Sequence, residues 1–263
     1  MSIAGHSAAC CAIPPINAKT DAPPKGRYEE IGGLKTYVTG SPESTKALFF
    51  IYDVFGYYPQ TVQGADILAY GDEKNQYQVF VPDFLGGKYP DISWQVSSLA
   101  RIPRYPPPNP EIEAKLMEYL STTAAPATAI ARIPGIIASI EAFSPTIKTW
   151  GVVGFCWGGK IISVATSTTD TPFKAAAECH PAFVDPKEAL GIKIPLCMLP
   201  SGDEPVEDVK KFQENLSVDN HVETFADMIH GWMTAKGDFE DERKRGEYER
   251  GYKVLLEFFG KYL

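Results

Sequence analysis

The chain has 263 residues, 25 basic against 33 acidic side chains for a net charge of −8, 44% hydrophobic residues and five cysteines. The hydrophobic share is ample for a packed core, and the acidic balance argues against nucleic-acid and anionic-membrane partners, since no local basic patch offsets it. There is no apolar run of membrane-span length, no basic start or apolar core of a signal peptide, and an odd, sparse set of cysteines, so a reduced, cytoplasmic setting is expected.

In chain order, residues 1–26 carry two Pro-Pro pairs and little periodicity. They read as an extended arm laid over a single domain spanning 27–263. Short β-rich runs then occur at 34–38, 47–52, 78–81, 149–155, 174–179, 195–199 and 222–225. Several are continuously apolar, as strands covered on both faces are. Helical periods lie between them at 61–74, 132–143, 159–168 and 206–215, and Tyr248, Tyr252, Leu255, Phe259 and Leu263 fall on one face of a terminal helix. The alternation predicts an α/β fold, a mostly parallel sheet with helices on both faces. Residues 88–110 break the rhythm with prolines and aromatics, which fits either a lid over the sheet's carboxyl edge or a plain connector.

Most of the chemical information sits in Gly154-Phe155-Cys156-Trp157-Gly158-Gly159, where a strand runs into a helix. This is a G-x-nucleophile-x-G elbow with cysteine in the central place. The main-chain N–H of Trp157 falls in the first helical turn, unpaired and able to donate to an oxyanion, and the same helix terminus favours a thiolate at Cys156. Downstream, Ser201-Gly202-Asp203 supplies an acid and His230-Gly231-Trp232 a base, each at the end of a predicted strand. That is the order nucleophile, acid, base.

These three motifs, in this order, resemble the dienelactone hydrolase family of α/β-hydrolases, over residues 26–263. The arm with Cys10-Cys11 and the run Gly33-Leu34-Lys35-Thr36-Tyr37 resemble its fungal and other eukaryotic branch. The resemblance implies an α/β-hydrolase fold and cofactor-free, metal-free hydrolysis of small esters or lactones through a thioester. It also implies Cys156 as nucleophile, His230 as base and then acid, and Asp203 orienting the imidazole. Family members place a carboxylate near the thiol after an early strand. Here that place is held by Asp53, with strand-end capping as its alternative, and Val54 N–H would be the second oxyanion donor.

His180 lies at the same sheet edge, as a pocket-lining or structural residue. Tyr57 and Trp232 belong to an aromatic set expected to wall a pocket. Cys179 and Cys197 read as small core residues. The family's arginine after the histidine is missing, and Lys236, Arg101 and Arg104 are the basic residues available in its place. A thiol-based redox or stress-response protein on a hydrolase scaffold is the competing reading. Oligomeric state is open between monomer and homodimer.

Overall fold

A computed structural model describes residues 23–90, 110–167 and 171–263. The strands are β1 (Arg27–Ile31), β2 (Leu34–Thr39), β3 (Lys46–Ile51), β4 (Gln78–Pro82), β5 (Thr149–Phe155), β6 (Phe173–Cys179), β7 (Leu196–Leu199) and β8 (Asn220–Val222). The helices are α1 (Pro59–Tyr70), α2 (Pro110–Ser121), α3 (Pro126–Phe143), α4 (Trp157–Thr166), α5 (Val206–Asn215) and α6 (Glu242–Tyr262). One eight-stranded sheet runs in the order β1-β2-β4-β3-β5-β6-β7-β8. It is antiparallel from β1 to β4 and parallel across the rest.

The centre of the sheet follows from composition. Every side chain from Ala47 to Ile51 in β3 is fully buried, as are Val152 and Val153 in β5. Each large apolar group taken out of water there contributes about 1.5–3 kcal/mol. Parallel strands covered on both faces put their carboxyl ends along one edge, where loops gather. The first hairpin turns through Gly32 and Gly33, whose φ values of 59° and 74° suit a two-residue hairpin loop.

Helix starts are legible in the chain. Pro59 and Pro126 open α1 and α3, where a missing N–H costs nothing. Asp241 caps α6 by accepting from the N–H groups of Arg243 and Lys244, each at 3.1 Å. The predicted apolar face of α6 is the observed one, with Tyr248, Tyr252, Leu255 and Phe259 buried. Its two tyrosines reach back, Tyr248 to the carbonyl of Gln60 (2.6 Å) and Tyr252 to that of Met233 (2.9 Å). The helix thus braces the loop that follows β8.

Some elements differ from expectation. Strand β1 has no counterpart among the predicted strands: only Ile31 in it is buried, so this edge strand carries no alternation in the sequence. Strand β8 lies at Asn220–Val222, ahead of the expected 222–225, with Phe225 making only an isolated bridge to Ser201. Helix α3 starts earlier than its apolar period suggests and carries Pro134 inside it. The expected lid lies largely outside the described residues, at 91–109, as does most of the expected arm, at 1–22. No helix among the described residues is long and apolar enough to cross a membrane.

Candidate active site

Strand β5 delivers Cys156 onto the elbow with φ 54° and ψ −111°, a backbone conformation that only the surrounding structure can hold. The turn is pinned on both sides. Cys156 N–H donates to the carbonyl of Cys179 (3.0 Å), and Cys156 C=O accepts from Ala182 N–H (3.0 Å) and Lys160 N–H (3.2 Å). The glycine two places on is obligatory, because a Cβ on Gly158 would sit 2.2 Å from the carbonyl oxygen of Ile51. Helix and strand cross too closely there for any side chain.

Trp157 occupies the first position of α4, its N–H in the turn that has no intrahelical acceptor. Its indole Nε1 donates to the carbonyl of Ala124 (2.8 Å) and its ring stacks on Tyr52 (6.4 Å, 25°). Val54 is buried in the turn after β3, closed by Gly56 N–H on the carbonyl of Asp53 (3.2 Å).

His230 follows β8 and is 1% exposed. Its Nδ1 lies 2.5 Å from Oε1 of Glu204, which is also buried. The other oxygen of Glu204 accepts from Ser201 N–H. Asp203, expected at the imidazole, is instead on the surface. Its carboxylate accepts from the backbone N–H of His230 at 2.7 Å. The tight turn explains the exchange: Gly202 N–H is bonded to Met228 C=O (2.9 Å), and a Cβ on Gly202 would lie 2.1 Å from the carbonyl oxygen of Ala226. Pressed against the turn beyond β8, the turn at Gly202 faces Asp203 outward and aims the next residue at the ring.

Three residues other than glycine have positive φ among the described residues: Cys156, His180 (36°) and Phe183 (53°). All three lie on the two strand ends that the Cys156 hydrogen bonds join. His180 is fully buried, its ring 5.1 Å from that of His230 at 70° and 5.8 Å from that of Phe155. The structure thus brings the residue before the nucleophile, His180 and His230 into one contiguous packing group.

Asp53 is 1% exposed and clasps the loop after His230. One oxygen accepts from Thr234 hydroxyl (2.5 Å) and Ala235 N–H (3.2 Å), the other from Phe55 N–H (2.9 Å). These bonds are those of a strand-end clasp, the alternative given for Asp53 from the sequence. Burial pushes the Asp53 carboxyl up, against those three hydrogen bonds and the ammonium of Lys236. Lys236 is itself 2% exposed, while Arg101 and Arg104 lie outside the described residues.

Trp232, expected in a pocket wall, packs in the core against Phe225 (4.4 Å) and beside Gly251 of α6. Tyr57 does line a cavity of about 700 Å³ with Phe55, Tyr58 and Tyr89, its hydroxyl 2.7 Å from the carbonyl of Val81. A second cavity, of about 580 Å³, opens beside Trp157. Cys179 and Cys197 are buried in strands, and burial pushes both thiols up. Among the described residues no group of three or more His, Cys, Asp or Glu is placed to hold a metal ion.

Sequence reasoning missed Glu204, Thr234 and Ala235. The only signal for Glu204 in the sequence is its place beside Asp203.

Comparison with known proteins gives concordant findings. Residues 34–263 match the family model described as the dienelactone hydrolase family. An uncharacterized AIM2 family protein of Schizosaccharomyces pombe is 33% identical over 241 residues, covering 89% of this chain and 90% of that protein. The carboxymethylenebutenolidase homolog of Mus musculus is 27% identical over 257 residues, covering 90% and 91%. The crystal structure of dienelactone hydrolase from Anabaena variabilis superposes with a TM-score of 0.61 at 15% identity over 91% of this chain and 99% of that one, a likeness of fold.

Proposed function

Since the chain belongs to the dienelactone hydrolase family and has its α/β-hydrolase fold, we propose that it hydrolyses a small carboxylic ester or lactone through a thioester on Cys156. The name carboxymethylenebutenolidase homolog, carried by a relative, points to the same reaction class.

In this reading His230 takes the thiol proton, and the sulfur attacks the substrate carbonyl carbon while the C=O electron pair moves onto oxygen. The N–H groups of Trp157 and Val54 receive that oxyanion. Collapse expels the alkoxide, which leaves with the proton from His230. Water, deprotonated by His230, then attacks the thioester, and the acid departs as Cys156 regains its proton. Glu204, accepting from Nδ1, holds the imidazole in the tautomer that takes a proton at Nε2, and stabilises the imidazolium. Asp203 fixes the backbone of His230, and Asp53 fixes the loop behind it. No cofactor enters any step.

One observation carries this reading: a buried imidazole paired with a carboxylate at 2.5 Å stands on the same sheet edge as a thiol held on a strained turn at a helix N-terminus.

The test is brief exposure to p-nitrophenyl acetate followed by intact-protein and peptide mass spectrometry. The expected result is one acetyl group on Cys156, transient in the native protein and absent in Cys156→Ala. Turnover undiminished in Cys156→Ala would sink the mechanism.

A further inference from the structure

We infer that the cavity of about 580 Å³ beside Trp157 is the pocket for one arm of the substrate, and that it selects an uncharged, apolar arm. The inference rests on Cys156 being the nucleophile.

Two of the cavity's walls are chain neighbours of the elbow or of a residue bonded to it. Trp157 is the residue after Cys156, so one residue supplies both the expected oxyanion N–H and an aromatic wall. Phe183 follows Ala182, whose N–H holds the carbonyl of Cys156. Phe183 keeps a φ of 53°, a strain of about 1–3 kcal/mol, and its carbonyl is held by the ammonium of Lys160 at 3.0 Å. Strain retained in a bulky residue at a cavity wall is expected where the ring's position matters.

The chemistry of the lining sets the occupant. The polar edge of Trp157 is spent on Ala124, so the indole offers the cavity apolar surface. Met117 and Leu120 of α2 and Val184 add to it. The charged residues around the cavity are two lysines and two aspartates, which cancel, and Lys160 is paired with Glu188 at 2.5 Å. The described residues around the cavity thus present no net positive charge to an anion. A largely apolar concavity of this size is what a small-molecule site requires.

The experiment uses two substrate series with the full-length protein: p-nitrophenyl esters from acetate to octanoate, and acetate esters of alcohols from methyl to octyl. The expected result is a kcat/KM that climbs about fourfold per methylene in one series, the equivalent of about 0.8 kcal/mol per buried CH₂. The series that climbs identifies the arm as acyl or alcohol. Leu120→Trp should cut the octyl-to-methyl or octanoate-to-acetate ratio at least tenfold by filling the cavity. Met117→Trp, at a surface position, is a second plug should the first fold poorly.

Flat profiles in both series, or a climb that neither plug reduces, would overturn the inference. If no ester is hydrolysed and Cys156 is never acylated, the nucleophile reading falls. The cavity is then judged by calorimetric binding of N-methyloctanamide. Saturable binding weakened tenfold by a plug, with no binding of octanoate, supports an apolar uncharged occupant, and absence of binding overturns it.

Discussion

Glu204 and His230 form a buried pair, Oε1 to Nδ1 at 2.5 Å, while the neighbouring Asp203 spends its carboxylate on the main chain of the same histidine. Two adjacent acids thus do different things to one residue. The inner one holds the imidazole at Nδ1, and the outer one holds its backbone N–H.

The two acids should separate by mutation. Glu204→Gln removes the anion that stabilises the imidazolium and is expected to lower kcat on p-nitrophenyl acetate by about 10³–10⁴-fold, the scale seen when a triad acid is neutralised. Asp203→Asn keeps a hydrogen-bond acceptor for the backbone N–H and should cost less than about tenfold. Equal losses in the two variants would count against the division of roles.

The clasp between Asp53 and the loop after His230 is a stability element as well as a positioning one. Thr234→Val removes one donor from a buried carboxylate, with an expected loss of about 1–3 kcal/mol in urea unfolding. Thr234→Ser keeps the hydroxyl and should recover most of it. Activity should fall in Thr234→Val and return in Thr234→Ser, because His230 rides on the same loop.

Glu178, in β6, is 1% exposed and faces Ser163 and Lys160 of α4 and Glu188 of the short turn after β6. Burial, and then the charge of Glu188, push its carboxyl well up, against the charge of Lys160 and the Ser163 hydroxyl. A folded-state pKa above the unfolded value means that the native state binds the proton more tightly. Stability from this group is therefore full below the unfolded value and is lost as pH rises from there through the folded value. Glu178→Gln cannot ionise, so its Tm relative to the native protein should rise with pH across that window. The gain is about 1.4 kcal/mol for each unit by which the folded pKa exceeds the unfolded one. Thermal melts from pH 4 to 9 check this, and a difference in Tm that is flat with pH would contradict it.

Two glycines predict opposite outcomes. A Cβ on Gly158 collides with main-chain oxygen at 2.2 Å, so Gly158→Ala should destabilise by more than about 3 kcal/mol or fail to fold. Gly135, inside α3, has nothing within 4 Å of the same position. Gly135→Ala should stabilise by about 0.5–1 kcal/mol through the lower entropy of its unfolded chain. Denaturant midpoints of the two variants give the comparison.

What could be read from the sequence was local. The elbow is written in six consecutive residues, because strand, strained turn and helix N-terminus follow one another along the chain. The buried strands are legible for the same reason: Ala47 to Ile51 and Trp150 to Phe155 are continuous runs without a polar side chain, and the covered face of α6 repeats at helical spacing. Edge strand β1 was not legible, since an exposed strand has no core to imprint a pattern on it.

The sequence by itself determined the fold class, the family and the three segments that meet at the sheet edge. Only the tertiary structure decided what each side chain does there. The turn at Gly202 is pressed on Ala226, and that contact, made by the turn beyond β8, sends Glu204 rather than Asp203 to the imidazole. Asp53 finds its hydroxyl partner 181 residues away in Thr234, a distance along the chain over which no local pattern speaks. Trp232 leaves the expected pocket for the core because α6 folds back with Gly251 beneath it. Motifs fix backbone order through neighbours in sequence, whereas side-chain partners at a site are set by packing between segments that meet only when the sheet closes.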